Sequence, residues 1–498
     1  MKRSIFSASS LAVLASSHPL EARQYPTLPK APDTWSGGDT LCASLECKQN
    51  ALAFAFTYGF PLYPFGATII DKDTVPTNFL IHQRELVSAD EKAIVRPNAD
   101  TLYTNIFYDI STSDLEITVP DFKQFGEGRF GVWPFYDQYG DNFANIGTVS
   151  NITHGKFLVK YDLENIGVFI KGAPAGYDGW IGMGTTYGIG INRIEVTNTT
   201  EDIEKATQIQ DQMKIAQVPR NSTVAPRLDL DVFKRPGYWP SNNTSIPQAV
   251  LHQTAYFAPY NLPKVAEDRP WVNQTLENAG MRHGIWTQPP GTNLSAAVGA
   301  ANASVEALFT APGTVFPVGK NWALYDDKVV GDFENWYQAR YFTAGWGYLA
   351  VQPSQAVYPS LIDIDSVGTN QALLFEFSGR PTLKQSSFWS MTLYDGEGYF
   401  IPNELNRFAL GDRSNLTFPD GSPLYVNGEP AGDDAPFKML VQPVDVEPPA
   451  NWTSNWLPAP SGGGDLQVTL RWYGATENME ENGDYVYPKV MVIDAIRA

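Results

Sequence analysis

Two aspartates, Asp100 and Asp137, stand in polar runs that carry the other residue types an acid–base site needs. The first run, Arg96-Pro97-Asn98-Ala99-Asp100-Thr101-Leu102-Tyr103, brings together a cation, an amide, a carboxylate and a phenol. The second, Asp137-Gln138-Tyr139-Gly140-Asp141-Asn142-Phe143-Ala144-Asn145, holds two carboxylates beside a phenol and three amides. Burial raises a carboxyl pKa and a nearby cation lowers it, so such a pair can divide the roles of general acid and general base. On this reading Asp100 and Asp137 are the acid/base candidates and Tyr103 is a donor. Arg96, Asn98, Tyr139, Asp141 and Asn142 then bind substrate, with Arg96 as the clamp for an anion. The same residues have a structural use: Arg96 and Asp100 would tie a turn together, while Asp141, Asn142 and Asn145 bond loop backbone.

A second polar set, Tyr394, Asp395, Asn403, Asn406, Arg407, Asp412 and Arg413, falls on expected turns near the C-terminus. The guanidinium fork of Arg407 or Arg413 fits a carboxylate ligand bidentately, and it equally locks a loop. The sequence has no Gly-x-Ser-x-Gly elbow, no Walker loop and no His-Glu-x-x-His. His18, His82, His154, His252 and His283 are scattered without an i,i+4 pair, and Gly182, Gly184 and Gly188 miss dinucleotide spacing. No metal and no cofactor is therefore expected. Trp133, Phe135, Tyr136, Trp346, Trp389 and Trp456 suit either a core or a pocket for an apolar ligand.

The compartment is legible too. Lys2 and Arg3, the apolar stretch from Ile5 to Ala15, and small residues at Ala15 and Ser17 have the parts of a signal peptide over residues 1–17. Sequons begin at Asn151, Asn198, Asn221, Asn242, Asn243, Asn273, Asn293, Asn302, Asn415 and Asn451, the set expected of a secreted, extracellular glycoprotein. The two cysteines, Cys42 and Cys47, are expected to form one disulfide in an oxidising compartment. The apolar run Ala51–Ile70 is broken by Gly59, Pro61, Pro64 and Gly66, so no membrane span is expected. A net charge of −19 would repel phosphate backbones, which sets nucleic acid aside as a partner.

Positioning elements follow from periodicity. Helices are expected over residues 48–56, 201–215, 267–278, 296–309 and 333–348, the second opened by Thr199 and Asp202 at capping-box spacing. Strands are expected over 101–110, 130–137, 157–161, 372–377, 388–394, 466–473 and 485–492. The two polar runs, with Gly147-Thr148 closing the second, resemble the hallmark of the domain of unknown function numbered 1254. Phe388-Trp389-Ser390-Met391-Thr392-Leu393-Tyr394-Asp395, Gly398-Tyr399-Phe400, Arg407-Phe408-Ala409-Leu410-Gly411-Asp412-Arg413 and Asn455-Trp456-Leu457-Pro458-Ala459-Pro460 resemble its usual partner, numbered 1214. The chain is thus similar to a secreted, fungal-like member of this two-part family. The resemblance implies a mainly β fold with helices: two antiparallel β-sandwich, jelly-roll-like lobes joined by a partly helical region, and it leaves a homo-oligomer open. The expected organisation is a signal peptide at 1–17, an extension with the cysteine pair at 18–47, an N-terminal β-rich domain at 48–215, a glycosylated helical connection at 216–332 and a C-terminal sandwich at 333–498.

The functional expectation is a cofactor-independent hydrolase, lyase or isomerase working on a small organic molecule by Asp and Tyr acid–base chemistry. The alternatives are a noncatalytic secreted or cell-surface binding protein and a tailoring enzyme of secondary-metabolite biosynthesis.

Overall fold

The computed structural model describes residues 41–92, 95–125, 128–479 and 483–498; the expected signal peptide and residues 18–40 of the extension lie outside them. Helix α1 (Leu45–Gly59) starts where Ser44 accepts a hydrogen bond from the Cys47 amide, and the expected Cys42–Cys47 disulfide closes a ring over that start. By loop entropy so small a ring contributes about 2 kcal/mol. A short helix α2 (Leu62–Ala67) follows, with Pro61 at its N-cap.

The N-terminal lobe runs through β1 (Ile81–His82), β2 (Thr101–Asp109), β3 (Ser113–Val119), β4 (Gly131–Asp137), β5 (Asn142–Gly147), β6 (Gly155–Tyr161), β7 (Gly167–Phe169), β8 (Gly179–Met183), β9 (Tyr187–Glu195), α3 (Thr200–Gln210) and β10 (Lys214–Pro219). Two sheets result, in the orders β1-β2-β9-β4-β5 and β10-β3-β6-β8-β7. Leu102, Ile106 and Tyr108 of β2 meet Leu115, Ile117, Phe157 and Ile181 of the second sheet in one core. The other face of β2 carries Tyr103 and Phe107 into a different core. Because both faces are covered, the alternation read in the sequence marks two interiors instead of an inside and an outside.

Two expectations change here. The helix expected to reach residue 215 ends at Gln210, because Lys214–Pro219 pairs along the free edge of β3. The cap itself is present, Thr199 accepting from the Asp202 amide at 3.3 Å. The sheets are also not purely antiparallel: β6 and β8 pair in parallel, the chain returning through β7, which lies outside β8.

The connecting region holds α4 (Ile246–Phe257), α5 (Asp268–Asn278), a hairpin of β11 (Met281–Arg282) and β12 (Ile285–Trp286), and α6 (Leu294–Thr310). Helix α4 was not expected, although Ser245 and Gln248 form a full capping box at its start. It is followed by β13 (Val315–Val318), β14 (Trp322–Tyr325) and α7 (Tyr337–Trp346). Helix α1 packs against α4, α5, α6 and α7, so its Ala51–Gly59 segment is buried throughout.

The C-terminal strands are β15 (Ala356–Val357), β16 (Ser360–Leu361), β17 (Ser366–Val367), β18 (Gln371–Phe377), β19 (Leu383–Asp395), β20 (Ala409–Gly411), β21 (Tyr425–Val426), β22 (Glu429–Pro430), β23 (Phe437–Pro443), β24 (Trp456–Ala459), β25 (Gly464–Ala475) and β26 (Lys489–Asp494). Among the described residues one sheet has the order β13-β14-β16-β25-β19-β20, with β15 and β17 also on β25, and a second has the order β24-β23-β18-β26. They share a core built on Phe375, Trp389, Met391, Met439, Leu470 and Trp472. Here too one pair, β23 with β24, is parallel, its return made through the 3-10 turn Ala450–Asn455. Among the described residues no helix is long and apolar enough to cross a membrane.

Nine of the ten sequon asparagines are exposed, whereas Asn302 is half-buried and its Oδ1 accepts from the Tyr341 hydroxyl at 2.6 Å. If the chain passes through a glycosylating compartment, peptide mapping after enzymatic deglycosylation should find Asn302 unmodified. Occupancy there would require α6 to open from α7.

Candidate functional site

The segment ahead of β2 crosses to the C-terminal lobe. Arg96 sits at φ 52°, a left-handed conformation that costs a side-chain-bearing residue roughly 1–2 kcal/mol. Bonds from the other lobe hold it there: its amide donates to the Gly398 carbonyl at 2.8 Å, and its carbonyl accepts from Arg471 at 3.0 Å. Next to it the Pro97 carbonyl accepts from the Tyr394 hydroxyl at 2.6 Å.

Asn98 then sets the direction of two phenols. Its Oδ1 accepts from the Asp100 amide at 2.6 Å, which fixes Nδ2 as the end that donates to the Tyr473 oxygen at 2.8 Å. Its backbone N–H donates to the Tyr103 oxygen at 3.0 Å. Both phenol oxygens already act as acceptors, so each keeps its own proton to donate, and the neighbouring Tyr358 oxygen is one acceptor within reach of the Tyr473 hydroxyl. Burial raises the Tyr473 pKa, with the neighbouring Tyr358 phenol adding to it, so this hydroxyl stays a donor at neutral pH.

These groups line a cavity of about 2400 Å³ between the β2/β9 face of the N-terminal lobe and the β14, β16 and β25 edge of the C-terminal sheet. Arg193, opposite Tyr103 in the β2–β9 register, reaches it from one side and Arg471 of β25 from the other. Arg193 donates to the Tyr136 hydroxyl at 3.2 Å, to the Leu349 carbonyl at 2.9 Å and to the Ile191 carbonyl at 3.4 Å. Arg471 donates to Thr392 Oγ1 at 2.7 Å and to the Tyr394 hydroxyl at 2.6 Å, besides the Arg96 carbonyl. Of the five N–H donors of a guanidinium, each arginine therefore keeps some that no acceptor among the described residues takes. Burial works against both charges, but the surrounding phenol oxygens hold the two groups firmly protonated. Arg96 lies with its guanidinium 4.6 Å from the centre of the Trp346 ring and donates to Gln467 Oε1 at 2.8 Å. Among the described residues none of Arg96, Arg193 and Arg471 forms an ion pair with a carboxylate within 4.0 Å.

The walls above this floor are apolar, with Phe107, Ile189, Ile191, Leu324, Phe342 and Trp346, whereas the rim carries Glu91, Asp326, Asp327, Asp363, Asp365 and Glu477 against Lys72 and Lys328. His82 borders the same space, but its ring turns to Thr104 Oγ1, 2.9 Å away on the opposite face of β2. The structure thus brings Arg96, Asn98 and Tyr103 together at the cavity and places the other sequence candidates elsewhere. Asp100 lies just behind the wall, its carboxyl pushed up to about 6 by burial, with the Ser390 hydroxyl and Arg471 pulling the other way. Asp137 accepts from the Tyr139 and Asp141 amides at 2.8 and 3.0 Å inside a turn, where burial and the Asp141 charge raise its pKa well above the usual carboxylate range. Asp141 accepts from the Phe333 amide at 3.0 Å and pairs with buried Arg340 at 3.2 Å. Tyr139 stacks under that guanidinium, 4.4 Å from its ring centre. Asn142 donates to the Phe135 and Ala144 carbonyls, both at 3.1 Å. Arg407 donates to the Thr453 and Trp456 carbonyls. None of Asp137, Tyr139, Asp141, Asn142 and Arg407 lines the cavity.

Comparison with known proteins bears on the lobes. Residues 77–217 match the model of one family, "Protein of unknown function (DUF1254)", and residues 363–477 that of another, "Protein of unknown function (DUF1214)". The two matches, in this order, support the two-domain 1254–1214 family. The DUF1254 segment supplies Arg96, Asn98, Tyr103 and Arg193, and the DUF1214 segment supplies Arg471 and Tyr473, so the donor floor is built jointly by the two matched domains. Among solved structures, the VPA0106 protein of Vibrio parahaemolyticus is similar in fold at 18% identity and a TM-score of 0.56, over 90% of this chain and 100% of that one. A putative uncharacterized protein from Burkholderia cenocepacia aligns over 93% of this chain and 92% of its own, at 13% identity and a TM-score of 0.39. No curated protein matches the chain.

Proposed function

We propose that this chain is a secreted, cofactor-independent enzyme that works on a small organic molecule in the cavity between its lobes. Tyr473 and Tyr103 donate hydrogen bonds or a proton to a substrate oxygen, and Arg193 and Arg471 stabilise the negative charge that develops there. The observation that carries this reading is the Asn98 bridge, which leaves both phenols as donors beside two buried arginines that, among the described residues, have no carboxylate within 4.0 Å. A floor of donors alone stabilises an oxyanion, as required when a hydrolase forms a tetrahedral intermediate or when a lyase or isomerase forms an enolate. The assignment moves the acid–base role from the aspartates to the tyrosines.

The test is turnover of mixed organic acids, esters and ketones by the purified chain, followed by mass spectrometry. Tyr473→Phe removes one hydroxyl and no ring, so it should lower kcat about 100-fold with the thermal midpoint little changed. Equal turnover by wild type and variant removes Tyr473 from the mechanism. A noncatalytic binding protein is the second reading, favoured by the lack, among the described residues, of any carboxylate or imidazole directed at the donor floor to act as a base; it predicts binding without turnover.

Secretion and N-glycosylation are proposed on the leader-like residues 1–17 and on the exposure of nine sequon asparagines. A jelly-roll-like sandwich is proposed for each lobe, on the strength of the core shared by its two sheets.

A further inference from the structure

We infer that the ligand of this cavity is an organic monocarboxylate with a largely apolar body, bound head-down with its carboxylate between Arg193 and Arg471. The inference rests on the proposed function only in taking the cavity as the ligand site. Tyr103 lies opposite Arg193 on the neighbouring strand, Arg471 and Tyr473 are two residues apart on one side of β25, and Asn98 bonds both phenols, so the two arginines, one from each lobe, line the same stretch of the cavity. The rings of Tyr358 and Tyr473 meet edge to face, 6.4 Å apart. Among the described residues neither buried cation has a carboxylate within 4.0 Å, and Asp100 acts on Arg471 only from behind the wall, so a ligand anion offsets a cost that the protein itself leaves largely unmet. Planar guanidinium forks match the two oxygens of a carboxylate, and the Tyr473 and Tyr103 hydroxyls are placed to donate to the same head group.

The rest of the cavity selects the body and the charge. Its walls are aliphatic and aromatic, which stabilises roughly 0.8 kcal/mol per buried methylene. Six acids against two lysines at the rim, on a chain of net charge −19, oppose entry of a dianion more strongly than entry of a monoanion. An amine head would meet the arginine floor with like charge, and an alcohol head would leave the guanidiniums uncompensated.

Titration of the full chain at pH 7.5 with octanoate, octanol, octylamine and octyl phosphate, followed by calorimetry and by intrinsic tryptophan fluorescence, decides between these heads. Octanoate should bind at least 10-fold more tightly than octanol and octyl phosphate, and octylamine should bind least. Arg193→Met should weaken octanoate about 10-fold or more while leaving octanol unchanged. The wild-type series is decisive even if that variant fails to fold. Octanol, octylamine or octyl phosphate binding as tightly as octanoate overturns the monocarboxylate assignment but keeps the cavity as a ligand site. Absence of binding by all four overturns the cavity reading itself, and with it the proposed function.

Discussion

Asp141→Ala is expected to cost the fold about 3–5 kcal/mol, the usual result of stripping a buried cation of its partner. The Arg340 and Asp141 side chains are 3% and 4% exposed, so water cannot take over the lost interaction. Arg340 is further fixed by the Tyr58 carbonyl at 3.0 Å and by the rings of Tyr58, Tyr139 and Tyr337, whose faces lie 4.8, 4.4 and 5.0 Å from its guanidinium carbon. The pair ties the β4–β5 turn to α7 and, through Tyr58, to α1. A urea titration reads the loss as a lower midpoint at unchanged slope. The double variant Asp141→Leu with Arg340→Met should recover much of it, since the penalty comes from the orphaned charge more than from the lost contact. A loss below about 1 kcal/mol in the single variant would mean that Arg340 finds another partner, Asp137 being the carboxylate whose charge also acts on it.

The same pair shows why part of the site was legible in the sequence and part was not. The polar runs at 96–103 and 137–145 are similar in composition, and sequence distance hides that the first crosses to the other lobe while the second closes a turn on itself. Asn142 bonds backbone as foreseen, whereas Asn145 donates to the Asn142 and Gln352 side chains instead. The arginines of the cavity floor were overlooked because they sit inside strands that read as apolar. Arg193 lies in Gly188-Ile189-Gly190-Ile191-Asn192-Arg193-Ile194, and Arg471 in Leu470-Arg471-Trp472-Tyr473. A lone arginine in a buried strand is itself a signal, because the fold keeps an unpaired charge inside only at a cost. Most helices and strands such as β2, β4, β18, β19 and β25 follow from periodicity, but β3, β9 and β23 were not expected, and α4 was masked by the surrounding sequons, prolines and glycines. The parallel pairs β6–β8 and β23–β24 have no local signature at all, since pairing direction depends on how the connection returns.

Lowering the pH from 7 to 5 should stabilise the protein through Asp100, and Asp100→Asn should remove that gain. The carboxyl has an ordinary value of 3.8 and is pushed up to about 6 in the folded chain, chiefly by burial. Below pH 4 both states are protonated and the group is neutral to stability. Between about 4 and 6 the unfolded chain ionises while the folded one does not, so unfolding releases a proton and stability falls as pH rises. Above 6 the penalty is constant at about 3 kcal/mol. The groups acting on Asp100 are the Ser390 hydroxyl, Arg471, Glu195 and Arg413, and Asp412 beside it is raised by burial in the same direction. The stability difference between Asp100→Asn and wild type should therefore grow from near zero at pH 4 to about 3 kcal/mol in favour of the variant at pH 7. A difference that is flat across this range would mean that Asp100 is ionised throughout, held by Arg471. The outcome matters for the cavity because the two groups share one field: with Asp100 neutral, the whole charge of Arg471 acts on a ligand, and with Asp100 ionised, part of it is spent behind the wall. Octanoate affinity is therefore expected to weaken as pH rises through 6 in wild type and to stay level in Asp100→Asn.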